Sequence, residues 1–263
     1  MQHLDEPAAA RWIEQVVRDA FADESRTVVD ALVREHSSRE FRFVRVRDRV
    51  VIASVIGSRA WIFGTAPIDD AARDLPHGWH FGAGVTAVIT GGPPRGYLQS
   101  GLRKSDCEWF AREGFVERSR HVELRVTLAM PRESDPRVRR ARRDECEALS
   151  QWITALFSSA WASEVRTALE RDGVFVAGTM GFAAHSGNNA ARGNFGPIGV
   201  AKDSRGEGIG HALARASLDD LYARGFRTAT IPWVDRALIP FYASLVETID
   251  VHERIVMGRE SGA

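Results

Sequence analysis

The 263-residue sequence has few cysteines and no long hydrophobic run. Its two cysteines, Cys107 and Cys146, are too few and too isolated for a disulfide framework or a zinc site, so we expect no metal and two reduced thiols. No stretch of about 18 consecutive apolar residues is present, and the N-terminus lacks a basic and apolar signal peptide. We therefore expect a soluble, cytoplasmic protein that does not enter a membrane.

The formal net charge of the chain is zero at pH 7. The chain has 35 basic and 35 acidic side chains, whereas nucleic-acid-binding domains usually carry a strong positive excess. Five arginines between residues 137 and 143 are the densest basic cluster. They suggest either a nucleic-acid surface or a solvated face balanced by nearby carboxylates, and the neutral total favours the solvated face. We expect no nucleic-acid partner.

The length allows one large domain or two of about 130 residues. The polar segment PRESDP at 131–136 contains two prolines and predicts a boundary, giving domains 1–130 and 136–263. Each half has the same order of predicted elements: two helices, a strand hairpin, a middle region, a helix and a last strand. In the first half, residues 57–104 are rich in glycine and proline and predict only short strands. We therefore expect an α+β protein whose halves repeat one arrangement.

The second half shows the clearer pattern of strands and helices. Asp144 and Ser163 are candidate N-caps for two helices. Strands are predicted at Val174–Ala177, Met180–His185, Asn194–Ala201 and Arg227–Val234, a long helix at Gly208–Arg224, and a short helix at Ile239–Leu245.

The segment most informative about chemistry is IGVAKDSRGEGIGHAL, residues 198–213. An apolar strand leads into a loop with Gly206, Gly208 and Gly210, and an amphipathic helix begins inside that loop. Glycines allow the backbone to approach a ligand closely, and the free N–H groups of a helix N-terminus bind anions. The pattern predicts a site for a phosphate or pyrophosphate, and its alternative is a plain glycine-rich turn.

Spacing separates the ligand classes that use such loops. A dinucleotide loop needs Gly-x-Gly-x-x-Gly, which is absent here because His211 follows Gly208 by three positions. A nucleotide P-loop needs a lysine that the loop lacks. The remaining pattern, Arg205-x-x-Gly208-x-Gly210, resembles the acetyl-CoA loop of the GNAT superfamily of N-acetyltransferases.

Other residues extend the resemblance over about residues 137–258. The strand Ile198-Gly-Val200 precedes the loop as in that family, with Lys202 at the usual proline, and Phe241-Tyr242 matches its later aromatic motif. The closing Gly-Phe of the family is replaced by Leu-Val-Glu at 245–247. The resemblance implies a mixed, mostly antiparallel central sheet flanked by helices, and acetyl-CoA as acetyl donor.

The resemblance also implies roles for individual residues. Tyr242 takes the position of the general acid that protonates the departing thiolate; its alternative role is that of a packed aromatic. The base is open: Asp235 and His185 are candidates, each with a structural alternative, and a water chain would also serve. Trp233 is expected near the pantetheine arm or the substrate, or else in the core. The expected cofactor-binding residues are Ile198, Gly199 and Val200 for pantetheine, and Arg205, Gly206, Glu207, Gly208, Ile209 and Gly210 for the phosphates.

The first half resembles the family more weakly. Trp109-Phe110 and Gly114-Phe115 look like the final helix and Gly-Phe motif, but no phosphate loop precedes them. This half is expected to be a degenerate second copy, or else an unrelated α+β domain.

The expected function is transfer of an acetyl group to a primary amine of a small molecule or a peptide N-terminus. The alternatives are a non-catalytic acetyl-CoA-binding regulatory or assembly protein, and a scaffold that binds no CoA. Homo-oligomers are possible.

Overall fold

The computed structural model describes residues 6–37, 40–91 and 99–260, and the chain divides into two compact units. Unit 1 comprises Met1–Pro93, Tyr97–Arg120 and Arg254–Ala263, and unit 2 comprises Pro94–Gly96 and His121–Glu253. Residues 121–130 and 254–263 thus group differently from the division expected at the polar segment 131–136. The reason is that two long strands, Val116–Leu128 and Val246–Glu260, each contribute residues to both units.

Unit 1 begins with two helices and a strand meander. Strands β1, β2 and β3 pair antiparallel, and β3 pairs parallel with β4. The expectation of only short strands between residues 57 and 104 is wrong at β3, which is nine residues long. The elements are α1 (Glu6–Ala20), α2 (Arg26–Ser37), β1 (Arg42–Val46), β2 (Arg49–Ile56), β3 (Arg59–Pro67), β4 (Ala87–Thr90), α3 (Cys107–Arg112) and β5 (Val116–Leu128).

Apolar side chains cover both faces of this meander. On one face, α1 packs closely against β3, because a Cβ built on Gly64 would lie 2.2 Å from Cγ1 of Val16. The other face carries an aromatic cluster in which the ring of Phe115 packs edge-on against Trp79 at 4.8 Å and Phe110 at 5.3 Å. Gly114, with φ +81°, makes the turn after α3 that its sequence position predicts.

Unit 2 is a layered α+β arrangement. Strands β6 to β9 form an antiparallel sheet in chain order, and β10 pairs antiparallel with residues 122–127 of β5. The elements are β6 (Arg139–Arg140), α4 (Cys146–Leu156), α5 (Ser159–Glu170), β7 (Val174–Ala177), β8 (Gly181–His185), β9 (Phe195–Val200), α6 (Ile209–Ala223), β10 (Thr228–Val234), α7 (Ile239–Ala243) and β11 (Val246–Glu260).

Strands β7 and β8 are buried on both faces, which explains their uninterrupted apolar sequences. Phe175 and Ala183 pack with the helix α6, whereas their neighbours Val174 and Phe182 pack with α4 and α5. Because successive side chains alternate between the faces of a strand, the sequence VFVA fills two cores at once. The mixed, largely antiparallel sheet flanked by helices is the expected fold class.

Two predicted helix caps are wrong. Helix α5 is capped by Ser158, whose hydroxyl accepts a hydrogen bond from the N–H of Trp161, and not by Ser163, which lies inside the helix. Before α4, the carboxylate of Glu145 accepts from the N–H of Arg142, while Asp144 pairs with the Arg142 side chain. Within the described residues, no helix is both long and apolar enough to span a bilayer.

Candidate acetyl-transfer site

Strands β9 and β10 run parallel but part after a single contact. An isolated parallel bridge joins Asn194 and Thr230, where the N–H of Thr230 donates to the Gly193 carbonyl at 3.3 Å. Beyond it, β9 remains in the sheet with β8, and β10 pairs with β5. The facing backbone edges of β9 and β10 therefore diverge within unit 2.

Alternate residues of β9 face this divergence. The N–H of Ala201 donates to the Met180 carbonyl at 2.8 Å, so the N–H groups of Gly199 and Ala201 point toward β8. Those of Ile198 and Val200 point to the opposite, open edge. There is also no room for a side chain at Gly199, since a Cβ built there would lie 2.7 Å from the Phe157 ring. Of the three residues expected to hold pantetheine, the strand geometry thus directs Ile198 and Val200 toward the cleft and Gly199 into the sheet.

The loop after β9 ends in an uncapped helix N-terminus. Gly206 and Gly208 have φ angles of +87° and +79°, a conformation that side chains other than glycine rarely adopt. The first hydrogen bond of α6 runs from the N–H of Ala212 to the Gly208 carbonyl, and no side chain of the described residues caps the helix. The N–H groups of Ile209, Gly210 and His211 precede that first bond and constitute an anion-binding terminus.

The space beside these glycines is open. Among the described residues other than its chain neighbours, no atom lies within 4 Å of a Cβ built on Gly206, and the nearest to one built on Gly208 is Nη2 of Arg137 at 3.9 Å. Packing therefore does not require glycine here, whereas the left-handed backbone does. Arg205 and Glu207 are exposed, and the Arg205 Nε donates to the Val200 carbonyl at 3.3 Å. The loop fits a pyrophosphate by its free N–H groups and its lack of obstructing side chains.

Arg137 is a site residue that sequence reasoning assigned only to a solvated face. Its Nη1 donates to the Glu207 carbonyl at 3.1 Å, and its Nε and Nη2 hold the Asp135 carboxylate at 2.9 and 2.7 Å. This guanidinium holds the pKa of Asp135 down at about 2. Seventy residues separate Arg137 from Glu207, so no local pattern indicates the contact.

A groove of about 550 Å³ begins at Gly208 of this loop. Residues 132–137 form one wall, and the outer face of α6, from Gly208 to Asp219, forms the other. Arg132, Arg137 and Arg215 all line it, giving it three guanidinium groups. A nucleotide portion of a ligand whose phosphates sit on the loop has room there.

Tyr242 is buried among aromatic rings on α7. Its side chain is 4% exposed and packs edge-on against Phe241 at 5.0 Å and Phe195 at 6.2 Å. Burial raises the pKa of its hydroxyl to about 12, so the group keeps its proton throughout the physiological range. Phe195 belongs to β9, and this contact brings Tyr242 next to the strand that borders the divergence.

His185 lies in a buried polar cluster. It is fully buried, its Nε2 donates to the Asp220 carboxylate at 2.8 Å, and its Nδ1 is 2.9 Å from the Ser186 hydroxyl. A carboxylate only accepts, so Nε2 carries the hydrogen and Nδ1 accepts from Ser186. Burial lowers the pKa of His185. Both ring nitrogens are engaged, and the register places His185 opposite Phe195, at the end of β9 away from the loop.

Residues 131–245 match the model of the acetyltransferase (GNAT) family. This segment is a GNAT domain. It contains the loop from Arg205 to Gly210, Arg137 and Tyr242. A comparison with curated proteins gave no match.

Solved structures share the fold. A GCN5-related N-acetyltransferase from Sphaerobacter thermophilus aligns with a TM-score of 0.61 and 16% identity over 97% of this chain and 92% of that one. A GCN5-related N-acetyltransferase from Kribbella flavida gives 0.55 and 16% over 94% and 96%. A glucosamine N-acetyltransferase region in a fungal multi-domain GH3 β-N-acetylglucosaminidase gives 0.61 and 14% over 80% of this chain, but only 31% of that protein. At such identities the likeness shows the fold alone.

The remaining catalytic candidate of the GNAT domain, Asp235, is exposed. Its carboxylate accepts from the N–H of Ala237 at 2.9 Å and caps the turn before α7. Trp233 is not a core residue: it is 41% exposed, stacks on His121 at 4.3 Å, and has φ +59°, a strained value for a bulky side chain. Among the described residues, no cluster of three His, Cys, Asp or Glu side chains is placed to hold a metal.

Proposed function

We propose that the GNAT domain transfers an acetyl group from acetyl-CoA to a primary amine of a small molecule or a peptide N-terminus. The observation that carries the proposal is the uncapped start of α6 behind Gly206 and Gly208, next to the divergence of β9 and β10. The two cysteines are free thiols, in keeping with a cytoplasmic enzyme.

The residues present fit this cofactor. The N–H groups at the start of α6 would hold the pyrophosphate, with Arg137 beside them, and the N–H groups of Ile198 and Val200 would hold the pantetheine. When bound, acetyl-CoA supplies a thioester activated for attack by a neutral amine. The same open-edge N–H groups are fixed before the reaction, which is what stabilisation of developing negative charge on the carbonyl oxygen requires.

Tyr242 would assist the departure of the sulfur by donating a hydrogen bond from its hydroxyl. Its pKa of about 12 lies above that of a thiol, about 8.5, so proton transfer to the thiolate is uphill for the resting side chain. We therefore assign it hydrogen-bond donation during departure, with the final proton coming from solvent.

The base that removes the amine proton would be water. Asp235 caps a turn and His185 is held by Ser186 and Asp220, so each has a structural role that accounts for its position. A water chain needs no further side chain and leaves both roles intact.

We also propose that unit 1 is a copy of the same arrangement without the phosphate loop. The order α1-α2-β1-β2-β3 followed by β4-α3-β5 parallels α4-α5-β7-β8-β9 followed by β10-α7-β11. Strands β3 and β4 are parallel, like β9 and β10 at their bridge. Between β3 and β4, the described residues contain only a three-residue helical turn, Asp70–Ala72, where unit 2 has α6.

A second candidate is a non-catalytic acetyl-CoA-binding module that acts in regulation or assembly. The close packing of Tyr242 against Phe195 and Phe241 favours it, because this packing alone would explain an aromatic side chain at that position.

Binding is tested with Gly208→Val. A β-branched side chain at φ +79° distorts the loop and blocks the helix N-terminus, so we expect the thermal shift produced by acetyl-CoA to disappear. Acetyl-CoA at about one hundred times its Kd should raise the melting temperature of the unchanged protein by several degrees, and NADH should not. Gly225→Val is the matched control, since Gly225 has φ +97° with open space at the other end of α6. Equal shifts in both variants, or no shift in the unchanged protein, would refute the site.

Catalysis is tested with Tyr242→Phe, which removes one hydroxyl from a packed ring. We expect kcat to fall by about tenfold to ten-thousandfold with the Kd for acetyl-CoA unchanged, measured on an amine that the enzyme acetylates. Tyr222→Phe is the control, because the Tyr222 hydroxyl contacts Met130 away from the cleft. Unchanged turnover would exclude Tyr242 from the reaction, and a protein that binds acetyl-CoA but acetylates no amine would be the non-catalytic module.

A further inference from the structure

A cavity of about 420 Å³ lies within unit 1, where β3 and β4 part. The two parallel strands pair up to Ile62 and Thr90; β4 then ends while β3 continues to Pro67. In sheets with parallel strands, the carboxyl ends of neighbouring strands that diverge form a crevice suited to ligands. The volume is within the range of small-molecule sites, about 300–1,000 Å³.

The inner wall of the cavity contains an arginine with free donors. Nη1 of Arg49 donates to the hydroxyl of Thr65 at 3.0 Å, and the guanidinium carbon lies 5.5 Å from the centre of the Trp109 ring. Its Nε is shielded from solvent and has no hydrogen-bond partner in the described part of the chain. A buried donor without an acceptor is costly, and two contacts already fix the orientation of this side chain.

Apolar surface accompanies this guanidinium. Ile62, Phe63 and Phe110 are buried residues that line the same cavity, next to the half-buried Trp109. A ligand that fits this cavity therefore has a hydrogen-bond acceptor for the Arg49 guanidinium and an apolar part that contacts the apolar side chains.

The acidic residues of the cavity lie at its exposed side. Asp19, Asp106 and Glu108 are exposed, and Asp19 accepts from the Gln15 amide at 2.7 Å. Arg103 and Arg112 are exposed there too, and Arg103 donates to the Ala20 carbonyl. The rim thus has three carboxylates and only two guanidinium groups, a poor environment for a polyanion such as a nucleotide. The interior offers one positive charge, which suits a single negative one.

We propose that this cavity binds a small monoanionic molecule through its carboxylate, with Arg49 as the charge partner and Trp109, Ile62 and Phe63 against its apolar body. The site is separate from the acetyl-CoA loop and does not require that loop to be functional.

Three probes of the same shape and different charge test the proposal on the full chain without acetyl-CoA: 3-phenylpropionate, 3-phenylpropanol and 3-phenylpropylamine. Isothermal titration calorimetry should show binding of 3-phenylpropionate, weaker binding of the alcohol, and the weakest binding of the amine. Arg49→Gln should raise the Kd of 3-phenylpropionate by about tenfold to a hundredfold, the usual worth of a charge-assisted hydrogen bond, and should leave the alcohol unaffected.

Two controls isolate the cavity. Arg59→Gln removes an exposed arginine at the start of β3 and should leave all three affinities unchanged. Gly208→Val should also leave them unchanged, which separates this site from the acetyl-CoA loop. Arg49→Lys keeps the positive charge but lacks the planar set of guanidinium N–H donors, and it replaces Arg49→Gln in the test if that variant fails to fold. It should bind 3-phenylpropionate with intermediate affinity. No binding of 3-phenylpropionate, equal binding of all three probes, or insensitivity to both Arg49 variants would overturn the proposal.

Discussion

The carboxylate of Asp220 is the centre of the polar cluster that contains His185. It accepts from Nε2 of His185 at 2.8 Å, from Nη2 of Arg140 at 2.5 Å and from Nε of Arg224 at 2.7 Å. These donors lower the pKa of Asp220 against the effect of its burial. One side chain on α6 thereby joins β8, β6 and the end of its own helix.

Asp220→Asn should therefore destabilise unit 2 strongly. The amide cannot accept from three donors at once, and two guanidinium groups lose their nearest negative charge, so we expect a loss of about 3 kcal/mol in the free energy of unfolding. Urea denaturation measures it. Asp144→Asn is the control, because the exposed Asp144–Arg142 pair should contribute about 0.5 kcal/mol or less. Equal losses in both variants would mean that the Asp220 cluster is not a stabilising unit.

At the scale of elements, the sequence predicts what depends on nearby residues. The strand Val174–Ala177 is predicted with its observed bounds, and α6 within one residue at each end, because apolar periodicity and the flanking glycines at 208 and 225 are local. The part of the candidate site that the sequence predicts is the loop from Arg205 to Gly210, because these residues are contiguous in the chain.

What the sequence does not predict depends on distant pairing. Arg137 reaches the loop across seventy residues, and the direction of the Gly199 N–H depends on the register of β9 with β8. The strand partners of β10 and β11 likewise follow from tertiary hydrogen bonding. Ser158 replaces Ser163 as a cap because α5 begins one turn earlier than the sequence suggests, a boundary that packing rather than propensity decides.

Arg137→Gln tests the element that reaches the loop from the start of unit 2. The change removes a guanidinium beside the helix N-terminus and its hydrogen bond to the Glu207 carbonyl, so the Kd for acetyl-CoA should rise by about tenfold. Calorimetric titration measures it. Arg143→Gln is the matched control from the same basic cluster, since Arg143 pairs with Asp172 instead. Equal affinity in both variants would show that Arg137 only holds Asp135.

At the scale of the whole molecule, charge is balanced by local pairing. Every arginine of the basic cluster at 137–143 forms an ion pair with a carboxylate. The pairs are Arg137–Asp135, Arg139–Glu145, Arg140–Asp220, Arg142–Asp144 and Arg143–Asp172. Among these carboxylates, Glu145 has its pKa lowered to about 2, chiefly by the hydrogen bonds from the Arg139 side chain. Such carboxylates stabilise the fold above their unfolded pKa near 4 and lose that contribution only in strong acid.

The stability of the protein in mild acid should instead depend on His185. Its pKa in the folded state lies below the unfolded value of about 6.5, so between these values the unfolded chain binds a proton that the folded chain does not. Stability is therefore complete above pH 6.5 and falls as the pH decreases, by at most about 1.4 kcal/mol per pH unit for one proton. Melting temperatures measured from pH 7.5 to 5 should decrease below pH 6.5 in the unchanged protein. The decrease should be shallower in His185→Gln and remain in His211→Gln, which changes an exposed histidine of α6. The same slope in all three proteins would show that His185 does not control this range.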